Sequence, residues 1–192
     1  MSEIAAFVRL GVHHIADPSA LDHVLFLLAL AAIYRGSDWR QAIGVITAFT
    51  VGHSVTLALA VTGAVRLPSA LIELLIPLTI LATATENLLV RERERAPLRG
   101  RYRPVFAGVF GLVHGAGFAN YLRELFLDSV TVPLLGFNLG IEAGQIVVLT
   151  AAAVLLAALD RLASHRVRVV AVSVIVLVIA ARMAVARGPW QP

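Results

Sequence analysis

The sequence predicts an all-α, polytopic membrane helix bundle: six transmembrane helices preceded by a short interfacial or re-entrant N-terminal helix, in one integral membrane domain over residues 1–192. Three observations carry that expectation. Hydrophobic residues make up 59% of the chain and the mean hydropathy is +0.85, above the near-even composition of soluble domains. Charged residues are 15% of the total and gather in short loops between long apolar blocks. Those blocks mostly lack the polar positions, recurring every three or four residues, that a soluble amphipathic helix needs.

The elements follow in order. Residues 1–16 are too short to span a bilayer, which takes about 20 apolar residues. Ile4, Phe7, Val8, Gly11 and Ile15 fall on one helical stripe, while Arg9, His13 and His14 break the apolar run that a signal peptide would need. An interfacial or re-entrant helix fits best. The first span, near 18–34, opens on Asp17-Pro18, an N-cap followed by proline at the first helical position. The second, near 39–63, opens after Asp38, a second cap. The third, fourth and fifth, near 68–90, 104–122 and 132–159, start at or beside Pro68, Pro104 and Pro133, where a missing N–H costs nothing. Pro77 interrupts the third span and removes the hydrogen bond that would use the carbonyl of Glu73. The sixth lies near 167–186.

Arginine sets the expected orientation. All 16 basic residues are arginine, and eleven of them fall in the loops after spans one, three and five: Arg35 and Arg40, the six between Arg91 and Arg103, then Arg161, Arg166 and Arg168. The positive-inside rule puts those loops in the cytoplasm and both termini in the periplasm of a bacterial inner membrane. The same rule accounts for a pI near 10.6 without nucleic acid, for which no basic, aromatic-studded soluble segment exists. With no cysteine, disulfides and thiolate metal sites are excluded. No glycine-rich phosphate loop follows a strand. Ser54 next to His53 makes a poor nucleophile–base pair, because adjacent helical residues point about 100° apart.

Ionisable groups at membrane depth are costly, at roughly 2.5–3.5 kcal/mol each on insertion scales, and face the bundle interior with a partner or a role. Here they are many: Asp22 and His23 in span one, Thr50, His53, Ser54 and Thr56 in span two, Glu73, Thr83, Glu86 and Asn87 in span three, His114 in span four, and Asn138, Glu142 and Gln145 in span five. Asn138, Glu142 and Gln145, at i, i+4 and i+7, share a helix face, opposite a stripe of Gly136, Gly140 and Gly144 suited to close helix packing. Rise along each helix brings Asp22, His23, His53, His114 and Glu142 to similar depth in the outer half. They are the expected metal site. Ser54, Glu86, Asn87, Asn138 and Gln145 are expected in support. Imidazole and carboxylate without thiolate suit zinc, nickel, cobalt, iron or manganese. Glu86, next to the arginine-rich loop, has pairing with an arginine as its plainer reading.

Five ordered segments resemble the HupE/UreJ family of bacterial membrane proteins, in its second branch. They are Gly11-Val-His-His-Ile15; Asp22-His-Val-Leu-Phe26; Thr47-Ala-Phe-Thr-Val-Gly-His-Ser-Val-Thr-Leu57 with Glu73 and Glu86-Asn87; Phe110-Gly-Leu-Val-His-Gly-Ala-Gly-Phe-Ala119; and Phe137-Asn-Leu-Gly-Ile-Glu-Ala-Gly-Gln145. The chain departs from the family's pattern in the interval between His14 and Asp22, which holds seven residues here and is longer than usual. The resemblance implies nickel or cobalt uptake of the kind that supports hydrogenase and urease, and it adds His14, or its neighbour His13, to the expected metal ligands.

Two functions follow. In a divalent-metal permease, His23, His53, His114, Asp22 and Glu142 take an ion near the outer face, and Glu73, Glu86 and Asn87 pass it inward. In an intramembrane metal-dependent hydrolase or transferase, metal-bound water is activated and Glu142 or Glu73 acts as general base. The expected partners are the lipid bilayer and the metal ion, with a homo-oligomer left open.

Overall fold

The structure, a computed structural model, describes residues 2–17, 21–90, 101–118, 122 and 130–188. Among these every regular element is helical: α1 (Glu3–Ala16), α2 (Leu21–Ala32), a 3-10 turn (Gly36–Asp38), α3 (Trp39–Val61), α4 (Ser69–Val90), α5 (Arg103–Gly117), α6 (Thr131–Leu162) and α7 (His165–Ala186). Four helical stretches are long and apolar enough to cross a membrane: the 3-10 turn with α3, α4, α6 and α7. The pair α1 and α2 passes only when taken together, as two helices inclined at 65°. α5 has 15 residues. Large apolar side chains are exposed on the outside of the bundle, among them Val51, Val105, Leu135, Ile146 and Ile175. Lipid, rather than water, is the solvent such a surface fits.

Several starts are made as the sequence expects. Pro104 occupies the first turn of α5, and the carbonyl of Pro68 receives the N–H groups of Leu71 and Ile72 at the start of α4. Asp38 differs. Its carboxylate accepts the Arg35 N–H at 3.1 Å and closes the 3-10 turn, without a side-chain bond to α3. Pro18 and the arginine loop 91–100 lie outside the described residues.

Glycine organises the packing into two close helix pairs. On α3 and α5, a Cβ at Gly52 would collide with the Gly108 carbonyl, and one at Gly115 with the carbonyl of His53. On α1 and α6, a Cβ at Gly140 would strike the Val8 carbonyl, and one at Gly11 the carbonyl of Phe137. Only hydrogen in place of a side chain allows backbones this near. In both pairs residue numbers rise together (Ile4 with Gly136, Val8 with Gly140, Val12 with Gly144), so both pairs are parallel.

Of the two sequence readings of the N-terminal helix, interfacial or re-entrant, the packing bears on the second, since α1 and α2 together make a bent pair that is a broken span or a re-entrant element. α1 is packed lengthwise on α6 and runs in the same direction. The glycine stripe of α6 and the apolar stripe of α1 are two halves of one seam. Length alone had suggested a surface helix, because 14 residues cover only about 21 Å.

α2 is short and ends inside the protein, so its last carbonyls need partners. Asn87 on α4 donates to the Ala29 carbonyl at 2.7 Å. Arg168 on α7 donates to the carbonyls of Ala32 at 2.9 Å and Tyr34 at 3.1 Å, and its Nε to Asp160 at 2.7 Å. Arg168 is buried, and its charge sits where the helix dipole is negative.

Candidate metal centre

Four histidines meet where α1 gives way to α2. His14 is in the last turn of α1, His23 in the first turn of α2, His53 on α3 and His114 on α5. His53 is held by the α3–α5 glycine seam, since Gly111 and Gly115 lie directly on its backbone. One ring nitrogen from each of His14, His23 and His53 falls within 4.8 Å of the others. His114 completes the cluster from the side, with its ring centroid 5.3 Å from that of His23. Its Nε2 is 2.9 Å from the Thr79 hydroxyl.

Among the described residues, His14 Nε2, His23 Nε2, both nitrogens of His53 and Nδ1 of His114 are buried with no hydrogen bond, while His23 Nδ1 has the Asp22 carboxylate 3.3 Å away. Each unmade bond costs about 1–3 kcal/mol. Concentrating them among four neighbouring imidazoles is a poor way to build a core and a good way to present lone pairs to a cation. Imidazole–metal bonds of about 2.1 Å would draw the three donors slightly inward. The donor set therefore fits a borderline divalent ion.

The surroundings are aromatic. Phe118 lies 4.0 Å from the His14 ring and stacks on Phe137 at 5.3 Å. On the other side, His114 rests on Phe26 at 4.8 Å and Phe49 at 5.3 Å. His14 is half-buried while the other three are buried. His13, whose side chain is 72% exposed, points away and pairs with Asp17 at 3.4 Å.

The carboxylates distribute differently from the sequence expectation. Asp22 is beside the cluster: Oδ1 accepts the His23 N–H at 3.0 Å and lies 3.3 Å from His23 Nδ1, while Oδ2 takes Arg187 at 3.3 Å. Glu142 and Glu73 are exposed and outside the converging set. At 3.6 residues per turn, Asn138, Glu142 and Gln145 fan over about 60° with Asn138 in the middle, and α3 takes Asn138 and Gln145 only. Ser54 donates to Asn138 at 2.9 Å and Thr50 to Gln145 at 2.7 Å, which leaves Glu142 turned to the edge. Glu86 and Asn87 are on the far part of α4. Glu86 is paired with Arg103 at 2.6 Å, its plainer reading.

Thr79 was missed in the sequence, although its position four residues before Thr83 marks the same polar face of α4. It positions His114 by leaving Nδ1 as the free nitrogen. Thr79→Val is expected to lower metal affinity about tenfold, in the range for groups that orient ligands, as read by equilibrium dialysis against Ni²⁺ or Co²⁺. Unchanged affinity would remove His114 from the site.

No curated protein and no solved structure matches the chain. A family model does, over residues 1–187, nearly the whole length. With its apolar helices, its buried histidines and that match, the chain belongs to the HupE / UreJ protein family.

Proposed function

We propose that the protein is a divalent transition-metal permease of the nickel/cobalt type, working across the bacterial inner membrane with both termini periplasmic. One observation carries this reading: the unpartnered ring nitrogens of His14, His23 and His53 converge at the break between α1 and α2. Discontinuous helices that bring ion ligands to a break within the membrane are a recurring transporter design. The parallel register of α1 on α6 supports counting α1 and α2 as one broken span, and with α5 the spans total six.

In this reading the ion is the substrate. It enters past His14 and gives up water to His14, His23 and His53, with His114 and the Asp22 carboxylate beside them. Ser54, Asn138, Thr50 and Gln145 tie α3 to α6 next to the site. Inward of it, Thr79, Thr83 and Asn87 continue down one face of α4 and skirt the Phe26–Phe49 floor. The enzymatic alternative needs a general base over the ion. Glu142 and Glu73 are both exposed, and Asp22 is engaged by Arg187, so that alternative is the weaker.

The test is flux. Purified protein in liposomes is expected to carry Ni²⁺ or Co²⁺ down a gradient, followed by an entrapped metal-sensitive dye. Tight stoichiometric binding with no flux would overturn the permease reading and favour chemistry or sensing.

A further inference from the structure

α4 carries a file of polar side chains away from the histidines. Thr79, Thr83 and Asn87, at i, i+4 and i+8, share one helix face, and all are buried. Thr79 touches His114 at one end, and the Thr83 hydroxyl donates to the Thr79 carbonyl at 2.9 Å. At the other end stand Asn87 and Glu86, and there the file meets a positive charge. Arg103, only 2% exposed, donates through Nη1 to Glu86 at 2.6 Å and through Nη2 to Asn87 Oδ1 at 3.2 Å. The other Glu86 oxygen accepts the Tyr102 hydroxyl at 2.5 Å. Arg103 Nε has no hydrogen-bond partner among the described residues. A cleft of about 100 Å³ opens beside the guanidinium, lined by Thr83 and Glu86 of α4, by Tyr102, Phe106 and Ala107 at the start of α5, and by Leu30 of α2.

A carboxylate, an amide oxygen and a hydroxyl, here within little more than one turn of α4, are the ligands an oxygen-binding divalent cation takes. Here a tethered cation holds two of them. We propose that Glu86, Asn87 and Thr83 form a second, inner cation site, and that the Arg103 guanidinium is its resident occupant, exchanged for the metal ion on its way out. The proposal rests on the transport reading.

Its physics is simple. A guanidinium does not deprotonate, so it can leave the oxygens only as a charge. A divalent ion and a guanidinium on the same buried oxygens repel strongly, so one displaces the other. The open Nε and the cleft give the side chain somewhere to go, and the Tyr34 ring, 5.5 Å from its Cζ, holds a cation by its face. Between exchanges the fixed charge keeps the inner end shut to stray cations.

The chain has no cysteine, so Ala107→Cys supplies a single reporter in the cleft. Full-length protein in liposomes is labelled with a membrane-impermeant thiol reagent from the arginine-rich face, with and without Ni²⁺ or Co²⁺. Labelling is expected to be slow without metal and to rise with it. In an Arg103→Gln background it should be fast without metal, by at least about tenfold, the yield of losing one charged hydrogen-bonded pair. Metal flux should rise in parallel. If Arg103→Gln fails to fold, Glu86→Gln frees the same guanidinium and should give the same rise in labelling, though not in flux, since it also removes the site's carboxylate. Metal flux with labelling unchanged in these backgrounds overturns the exchange alone and leaves Arg103 as a strut between α4 and α5. Wild-type protein that binds metal and carries none overturns the transport reading, and the exchange with it.

Discussion

His53→Ala is expected to lower Ni²⁺ or Co²⁺ affinity by at least about 100-fold, beyond the range for groups that only orient ligands, and to abolish flux. His53 is fully buried and both its ring nitrogens lack a partner, so the imidazole has no structural bond to lose. Its value lies in the lone pair aimed at His14 and His23. His13→Ala is the control, since that ring is exposed and turned from the cluster, and it should bind as wild type does. Isothermal titration of the detergent-solubilised protein checks both. Retained affinity in His53→Ala would dismantle the proposed centre, because no other residue on α3 supplies an imidazole.

The second large effect is expected at a residue with no chemistry. Gly115→Ala places a methyl group on the carbonyl and Cα of His53, and backbone there cannot yield without parting α3 from α5. Overpacking of this kind costs about 1–3 kcal/mol. It should lower the thermal midpoint and, by displacing His53, weaken metal binding too. Gly44→Ala offers the contrast. Nothing lies within 4 Å of its would-be Cβ, and alanine gains up to about 1 kcal/mol over glycine in a helix, so stability should hold or rise. Equal behaviour of the two variants would mean that the α3–α5 seam is looser than it looks.

Much of this architecture can be read from the residues. The apolar blocks give the helices to within a few positions, because proline and capping residues punctuate them. The four histidines are found by asking why imidazole stands in lipid. What escapes is anything decided by neighbours. Arg103 and Arg168 read as loop charges, since each sits at a helix start, yet both are buried by carbonyls and carboxylates from other helices. α1 reads as a surface helix because its length is judged alone; its partner glycines lie more than a hundred residues away. Glu142 reads as a ligand because a shared face on α6 is broader than the strip that α3 covers.

The two glycine-locked pairs have a mechanical consequence. His14 rides with α1 and α6, His53 and His114 with α3 and α5, and between α3 and α6 stand the hydrogen bonds Thr50–Gln145 and Ser54–Asn138. An ion bonded to both halves acts as a rivet through two plates that otherwise touch lightly. In the proposed permease, loading would draw the plates together and unloading would let them rock apart, so that cargo occupancy would set how α1 and α6 sit on α3 and α5.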